Sequence, residues 1–289
     1  MQVLRITGPD DPRVAEYRNI ADHERLRERG LFIAEGRIVV ERLIRDGRLP
    51  VRSLLLNDPA WRALEPVVGQ LGDEVTVFLC EARDFEDLTG YNIHRGCLAL
   101  ASRPSLVPLV ELLSHSRSLV VLEDVANVDN IGGIFRNAAA FGVDGILLSR
   151  GCADPLYRKA VRTSMAATLR VPFSIASDAG GWRSALAQIR AGGFQLVALT
   201  LDESAQDLND LVRATAADRI ALLLGAEGAG LSPDAQEAAD IRVRIGIRPD
   251  VDSLNVAVAA GIALYRLLPP MASSSYPTPV RAGATQRAR

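Results

Sequence analysis

The chain has 289 residues, a formal net charge of −2 and a hydrophobic content of 48%. This length predicts two domains of roughly 150 residues each, with enough apolar residues for their cores. A charge so close to zero excludes a protein that is basic overall, so any RNA-binding surface must be a local patch. No apolar run approaches the roughly 18 residues of a membrane span, and the N-terminus lacks the apolar segment of a signal peptide. We therefore expect a folded, soluble, cytoplasmic protein without a membrane partner.

The cysteines and histidines do not form a metal-binding pattern. Cys80, Cys97 and Cys152 lie far apart, and no Cys-x-x-Cys or neighbouring histidine supplies ligand spacing. The three histidines are equally scattered. We expect reduced thiols and no structural zinc.

The first hundred residues alternate between strand and helix patterns. Apolar runs begin at Leu31, Ser53 and Glu74, and the amphipathic pattern between the first two ends at Gly47. A last run precedes residues 102–108, whose two prolines and two serines are typical of an interdomain linker. The prediction is an α/β domain over residues 1–103.

The same alternation resumes beyond the linker. Helical stretches separate the near-continuous apolar runs 118–122, 145–149, 194–199 and 219–224. Strands that are buried on both faces and joined by helices favour a parallel sheet. The prediction is a second α/β domain over residues 109–269. Residues 270–289 are rich in Ser, Pro and Ala and carry no acidic residue, which predicts a disordered tail.

The first chemically informative segment is Asn130-Ile-Gly-Gly-Ile-Phe-Arg136, which follows a predicted strand. Its two glycines permit close backbone approach, and an apolar helix face follows from which Arg136 is displaced. Two interpretations stay open. Asn130 and Arg136 contact a ligand, or Asn130 is a helix N-cap and Arg136 a solvated charge.

The second segment, Gly225-Ala-Glu-Gly-Ala-Gly230, ends a predicted strand and precedes the helix-start signal Ser232-Pro233. Its glycines would let backbone groups line a pocket, and Glu227 places a carboxylate among small residues. The spacing differs from the dinucleotide fingerprint, and no Gly-Lys-Ser/Thr follows, so a phosphate cradle is disfavoured. The alternative is an ordinary strand-to-helix turn with Glu227 in water.

The third segment is Asp252-Ser-Leu-Asn-Val256. We expect Ser253 to open a helix that Asp252 or Ser253 caps, which leaves Asn255 redundant as a cap and indicates a ligand contact. Small residues over 257–261 would let this helix pack closely on a neighbouring helix or on a partner subunit.

In this order, the three segments resemble the signature motifs of the SpoU (TrmH-like) RNA 2'-O-ribose methyltransferases of the SPOUT class. The resemblance covers about residues 109–268 and rests on Asn-x-Gly-x-x-x-Arg, Gly-Ala-Glu-Gly-x-Gly-Leu and Asp-Ser-Leu-Asn-Val together. The first domain resembles the ribosomal-protein-like substrate-binding domain of many members, through Phe32-Ile-Ala-Glu-Gly36 before a helix and His94-Arg-Gly96 before a strand.

The resemblance implies two α/β domains, the second a parallel-sheet methyltransferase domain with a trefoil knot. It also implies a homodimer with a shared active site, S-adenosylmethionine as cofactor, and ribosomal or transfer RNA rather than DNA as partner. The implied catalytic residues are Asn130, Arg136, Glu227, Ser253 and Asn255. The implied cofactor-binding residues are Gly225, Gly228, Gly230, Ile245 and Leu254. Gly246 stands where many members have proline, and we expect it to loosen the cofactor loop.

A basic cluster beyond the first motif is a candidate RNA contact. It consists of Arg150, Arg158, Lys159 and Arg162, on a helix expected to begin at Asp154-Pro155. A solvated charged helix face is the alternative interpretation. Arg95, near the end of the first domain, is a further candidate for RNA contact.

Methyl transfer to a ribose hydroxyl depends mainly on the alignment of the two reactants. Because a guanidinium keeps its proton in proteins, we expect Arg136 to grip a phosphate and stabilise the developing alkoxide, while Ser253 or water takes the proton onward. One alternative is a noncatalytic RNA-binding or ribosome-assembly factor on the same fold, which would lack the five polar groups. A Rossmann oxidoreductase would need a dinucleotide fingerprint, which the sequence lacks.

Overall fold

The computed structural model describes residues 1–18, 20, 22–90, 93, 96–176, 181–211 and 218–269. The predictions for Arg95 and for the tail 270–289 fall outside these residues. Within the described ranges, no helix is both long and apolar enough to cross a membrane.

The N-terminal part of the chain forms an α/β unit around a mixed sheet. In chain order its elements are β1 (Gln2–Arg5), a 3₁₀ segment (Pro12–Tyr17), α1 (His23–Glu28), β2 (Leu31–Glu35), α2 (Arg37–Asp46), β3 (Val51–Leu56), α3 (Asp58–Val68), β4 (Thr76–Leu79), α4 (Ala82–Thr89) and β5 (Cys97–Ser102). Among the described residues the sheet has the order β1-β4-β3-β5-β2, and β5 runs antiparallel to both of its neighbours. Residues 103–108, which follow β5, contain neither helix nor strand.

The C-terminal part forms a second α/β unit. Its elements are α5 (Leu109–His115), β6 (Ser118–Leu122), α6 (Val128–Ala140), β7 (Gly145–Leu148), α7 (Arg158–Thr163), a 3₁₀ segment (Ala167–Leu169), β8 (Phe173–Ile175), α8 (Gly181–Ala191), β9 (Gln195–Leu199), β10 (Gln206–Asp207), β11 (Ile220–Leu224), α9 (Pro233–Ala238), β12 (Ile241–Arg244) and α10 (Val256–Leu267). In the part of the chain that the structure describes, seven strands pair in the order β10-β12-β9-β11-β6-β7-β8, and every pairing is parallel. This confirms the predicted α/β fold with a parallel sheet, while the trefoil knot stays a prediction.

The centre of this sheet is buried on both faces. In β6 and β11 every residue is buried, because helices cover the sheet from both sides. Since all strands run the same way, the segments that follow β6, β9 and β11 emerge at one edge. That edge is where α/β proteins of this type bind ligands.

Helix starts are where the structure departs from the sequence prediction. Helix α10 begins at Val256 and is capped by Asn255, so the assignment of the cap to Asp252 or Ser253 was wrong. Helix α7 begins at Arg158 instead of Asp154-Pro155. The Asp154 carboxylate accepts two hydrogen bonds of 2.8 Å from Arg103 and the backbone N–H of Leu156 at 2.9 Å, in a turn that precedes the helix.

Candidate active site

Side chains from all three sequence motifs meet at the carboxyl edge of the parallel sheet. Asn130 Nδ2 donates to Glu227 Oε1 at 2.5 Å, and Asn255 Nδ2 donates to Asn130 Oδ1 at 2.8 Å. Asn255 Nδ2 also lies 3.5 Å from Glu227 Oε1. We call these three residues the polar junction. Asn130 is buried, whereas Glu227 and Asn255 are exposed.

The polar junction has a defined orientation. Asn255 Oδ1 accepts the backbone N–H groups of Ala257 and Val258, at 3.0 and 3.2 Å, as the cap of α10. Its Nδ2 must therefore face outward as a donor, which makes the facing atom of Asn130 the carbonyl oxygen and turns the Asn130 amide nitrogen toward Glu227. The first turn of α10 thus sets the donor and acceptor directions of the whole junction.

Asn130 is not a helix cap. The N-cap of α6 is Asn127, whose Oδ1 accepts from the N–H of Asp129 at 2.9 Å. Asn130 lies in the first turn of that helix and is only 4% exposed. Because a buried amide needs partners for its polar atoms, Glu227 and Asn255 stabilise it there. The capping interpretation of Asn130 is therefore excluded.

The second motif folds back on itself as a closed loop. The N–H of Gly230 donates to the carbonyl of Ala226 at 2.9 Å, and Gly228 and Gly230 adopt φ angles of +85° and +69°. A side chain at Gly225 would place its Cβ 2.1 Å from the carbonyl carbon of Gly230. Gly225 is therefore required for the loop to close, and the positive φ angles favour glycine at the other two positions.

A buried carboxylate supports the far end of this loop. Glu123, which follows β6 and is 5% exposed, accepts the backbone N–H of Ser232 at 2.8 Å and its hydroxyl at 2.6 Å. Ser232 in turn caps α9. The loop that carries Glu227 is therefore anchored to the strand that leads into α6.

A cavity of about 610 Å³ opens beside the polar junction. All five residues expected to bind the cofactor line it: Gly225, Gly228, Gly230, Ile245 and Leu254. Ser253, Glu227 and Asn255 also border it. Its volume lies within the range of about 300–1,000 Å³ that is typical of small-molecule sites.

The cavity has lining residues that sequence reasoning missed. Thr200 and Leu201 follow β9, and Ile247 follows β12. The position of these residues after strands was the signal that could have found them. Loops that follow neighbouring parallel strands emerge at the same edge of the sheet, which is also how the second motif was placed. Gly246 itself is exposed, and a Cβ there would lie 3.0 Å from Asp207 Oδ2. The expected loosening of the cofactor loop by Gly246 stays a prediction.

The chemistry of the cavity fits S-adenosylmethionine. Apolar side chains such as Leu199, Ile245 and Leu254 suit a planar base, and the carboxylates of Glu227 and Asp252 suit a ligand that carries a sulfonium and an ammonium group. The glycine loop offers backbone polar groups with little steric hindrance.

Arg136 is not part of the polar junction. It lies six residues after Asn130 on α6, which turns its side chain by about 240° around the helix axis. The residue is exposed, and among the described residues we find no hydrogen bond or ion pair from its guanidinium. Within one chain, the structure brings together four of the five expected catalytic residues and leaves Arg136 on another face.

Helices α6 and α10 pack against each other through small residues. A Cβ at Gly133 would lie 2.8 Å from that of Ala257, and Asn137 Nδ2 donates to the carbonyl of Ala257 at 2.6 Å. A Cβ at Gly261 would lie 3.1 Å from Asn137 Nδ2. The close packing predicted for 257–261 is therefore made within the chain, and it fixes the two helix starts that carry Asn130 and Asn255.

The basic cluster is largely engaged in ion pairs. Arg158 binds Glu35 and its side chain is 11% exposed, so a surface contact with RNA does not suit it. Lys159 binds Asp129 at 2.7 Å, and Arg162, with a half-exposed side chain, also binds Glu35. Arg150 lies in the exposed turn after β7. RNA contact by Arg150, Lys159 and Arg162 stays a prediction.

The fold and the site together define a cofactor-binding α/β domain with three converging loops. Residues 117–265 match the model of the SpoU rRNA Methylase family. The chain is 37% identical over 269 residues to a Mycobacterium tuberculosis protein named as an uncharacterized tRNA/rRNA methyltransferase, and this match covers 92% of this chain and 91% of the relative. It is 31% identical over 193 residues to the 23S rRNA (guanosine-2'-O-)-methyltransferase RlmB of Nitrosomonas europaea, covering 65% of this chain and 72% of the relative.

A solved structure shows the same fold. The AdoMet-bound rRNA methyltransferase from Sinorhizobium meliloti superposes with a TM-score of 0.76 at 25% identity, covering 92% of this chain and 97% of that one. The chain belongs to the SpoU rRNA Methylase family.

Proposed function

We propose that this protein transfers a methyl group from S-adenosylmethionine to a ribose 2'-hydroxyl of RNA. The observation that carries the proposal is the polar junction of Asn130, Glu227 and Asn255 at the border of a cofactor-sized cavity. The relative from Nitrosomonas europaea is named as a guanosine-2'-O-methyltransferase of 23S rRNA, which supports the reaction type.

The cofactor would lie between the glycine loop and the segments after β9 and β12. Gly225, Gly228 and Gly230 would offer backbone groups, while Ile245 and Leu254 would pack against the base. S-adenosylmethionine, when bound, supplies an electrophilic methyl group on sulfur.

The residues of the site orient the nucleophile. Glu227 is held by two amide nitrogens, which leaves its second carboxylate oxygen available to accept a hydrogen bond from the substrate hydroxyl. Ser253 borders the same cavity, where its hydroxyl can pass the departing proton to water. Holding two reactants in line can supply roughly 7 to 11 kcal/mol of the barrier, so we assign the larger share of catalysis to this positioning.

Arg136 would complete the site of a second copy of the chain. The outer face of α10 exposes Val258, Ile262 and Tyr265, which are 53%, 41% and 73% exposed and recur at helical spacing. An exposed apolar stripe on a helix that is apolar on all sides favours burial against a partner. In a two-fold homodimer built on α10, Arg136 of one chain would reach the ribose phosphate held by the other.

The first domain would hold the RNA, a ribosomal or transfer RNA that we place in the cytoplasm. The side chains of Arg150, Lys159 and Arg162 would contribute phosphate contacts, although each already interacts with another group of the chain. The substrate nucleotide would then be unstacked so that its ribose reaches the cavity.

The test uses the purified full chain, radiolabelled S-adenosylmethionine and RNA from a strain that lacks the gene. We expect label in RNA, recovered after nuclease digestion as a single 2'-O-methylnucleoside by mass spectrometry. RNA from the parent strain, which is already modified, serves as the control and should accept little label. Binding of RNA without cofactor binding or methyl transfer would instead identify a noncatalytic RNA-binding factor.

A further inference from the structure

Glu35 is a buried carboxylate of the first domain that binds two arginines of the second. It ends β2, and its side chain is 5% exposed. Arg158 Nη1 donates to Oε2 at 2.7 Å, and Arg162 Nη1 donates to Oε1 at 2.5 Å. The two arginines lie one turn apart on α7, so a single carboxylate holds one face of that helix. Neither the cofactor cavity nor the polar junction includes Glu35.

Helix α7 is in turn fastened to the first turn of α6. Lys159 Nζ lies 2.7 Å from Asp129 Oδ2, and the Thr163 hydroxyl donates to Asp129 Oδ1 at 3.1 Å. These contacts, with Lys159 first, lower the pKa of Asp129 below its usual value. The carboxylate is therefore ionised and keeps both contacts at neutral pH.

Helices α6 and α7 also pack without space between them at Gly132. A Cβ at Gly132 would lie 2.8 Å from Cβ of Thr163 and 2.9 Å from the carbonyl oxygen of Ala160. Asp129 and Gly132 flank Asn130 on both sides along α6. A displacement of α7 would consequently move the backbone that carries Asn130.

We propose that Glu35 is a positioning residue, which sets the placement of Asn130 through α7 and so couples the first domain to the polar junction. The inference deepens the proposed function, on which it rests, because RNA held by the first domain would be aligned with the cavity only while this contact persists. Active-site groups must be held within roughly 0.5 Å of their productive geometry, a tolerance that a loosened α7 would exceed.

A buried ion pair can also serve stability alone, so unfolding measurements cannot decide between the two roles. The informative variant is Glu35→Gln, which keeps the shape and removes the charge. The matched control is Glu41→Gln in the same domain, where Glu41 forms an exposed pair with Arg45 on α2. Arg162→Gln weakens the same contact through a half-exposed side chain and serves as a second variant, in the measurement without RNA, if Glu35→Gln does not fold.

The first measurement is amide hydrogen exchange of the full chain followed by mass spectrometry, which does not depend on any RNA. We expect Glu35→Gln to speed exchange in 158–163 and in 128–133, with 220–224 in the sheet unchanged, and Glu41→Gln to behave as the unmodified protein. If exchange in 128–133 stays at the unmodified rate while 158–163 changes, Glu35 does not act on Asn130.

The second measurement is methyl transfer at saturating S-adenosylmethionine and gene-deletion RNA. We expect Glu35→Gln to lower kcat at least about tenfold, because small misplacements of reacting groups are costly, while the Kd for S-adenosylmethionine stays within about twofold. An unchanged kcat in a fully folded Glu35→Gln protein would overturn the inference. If the unmodified protein transfers no methyl group, the proposed function is wrong instead. The exchange measurement would then still test whether Glu35 sets the placement of Asn130.

Discussion

Asn130 Nδ2 lies 2.5 Å from Oε1 of Glu227, although 97 residues separate the two along the chain. The contact joins the first turn of α6 to the loop after β11. Because Asn255 fixes which atom of the Asn130 amide faces the carboxylate, the contact is directional as well as close.

The first prediction concerns that direction. Asn130→Asp replaces the donor with a second carboxylate, which would repel Glu227 and disturb its placement. We expect kcat to fall about 100-fold with near-normal far-ultraviolet circular dichroism. The control is Asn127→Asp, the same change at the N-cap of α6, where aspartate caps equally well. Equal activity of the two variants would argue against the polar junction.

The second prediction separates the two tasks of Asn255. Asn255→Asp keeps an oxygen for the N–H groups of Ala257 and Val258 but loses the amide donor to Asn130. We expect thermal stability to be retained and methyl transfer to be lost. Asn255→Ala loses both tasks and should also be less stable by about 1 kcal/mol. Thermal unfolding and turnover of both variants check this, and an active Asn255→Asp protein would contradict it.

The third prediction concerns closure of the glycine loop. Gly225→Ala would force a Cβ against the backbone of Gly230 and Leu231, at 2.1 to 2.3 Å. We expect the affinity for S-adenosylmethionine, measured by calorimetry, to fall at least about tenfold because the loop must open. Gly246→Ala on the facing wall meets only a side-chain oxygen at 3.0 Å and should have a smaller effect. The reverse order would show that the wall near Gly246 governs affinity.

The fourth prediction tests whether Arg136 acts across a dimer. Arg136→Ala and Asn130→Asp should each be inactive as homodimers. Mixed and reassembled, half of the dimers would be hybrids with one intact site, so activity should return to about one quarter of the unmodified level. Purification through two different tags would isolate the hybrid, whose activity should be about one half of the unmodified level because one of its two sites is intact. A hybrid without activity would place both residues in the same chain's site.

The fifth prediction concerns pH. Burial raises the pKa of both Cys80 and Cys97 from 9.0 to about 12. Protonated thiols are therefore favoured in the folded state, and the stability they contribute is lost as pH rises from about 9 toward 12. We expect urea unfolding midpoints to fall over this range, with a shallower decline in a Cys80→Ala/Cys97→Ala protein. Identical slopes would show that other groups control the alkaline limit.

The helix starts illustrate where local sequence rules stop. Asp154-Pro155 is a sound helix-start signal, yet Asp154 is bound by Arg103, which lies 51 residues earlier in the chain. Likewise Asp252, Ser253 and Asn255 are all acceptable caps, and the fold selected Asn255. Capping preference depends on a few neighbouring residues, whereas the contacts of Asp154 with Arg103 and of Asn255 with Asn130 join segments that are 51 and 125 residues apart, which no local rule includes.

The sequence by itself determined the parallel sheet and the three motif loops, because hydrophobic periodicity and glycine-rich turns are local properties of the chain. The resemblance of these loops to a known family implied five of the residues that line the cavity. Only the tertiary structure decided which side chains contact one another. It brought Asn130, Glu227 and Asn255 together, turned Arg136 away from them, and paired Arg158 with Glu35 of the N-terminal α/β unit. Such pairings depend on the order of the strands, on the rotation of each helix about its axis and on the contact between the two α/β units. These features bring together residues that no short-range sequence pattern relates.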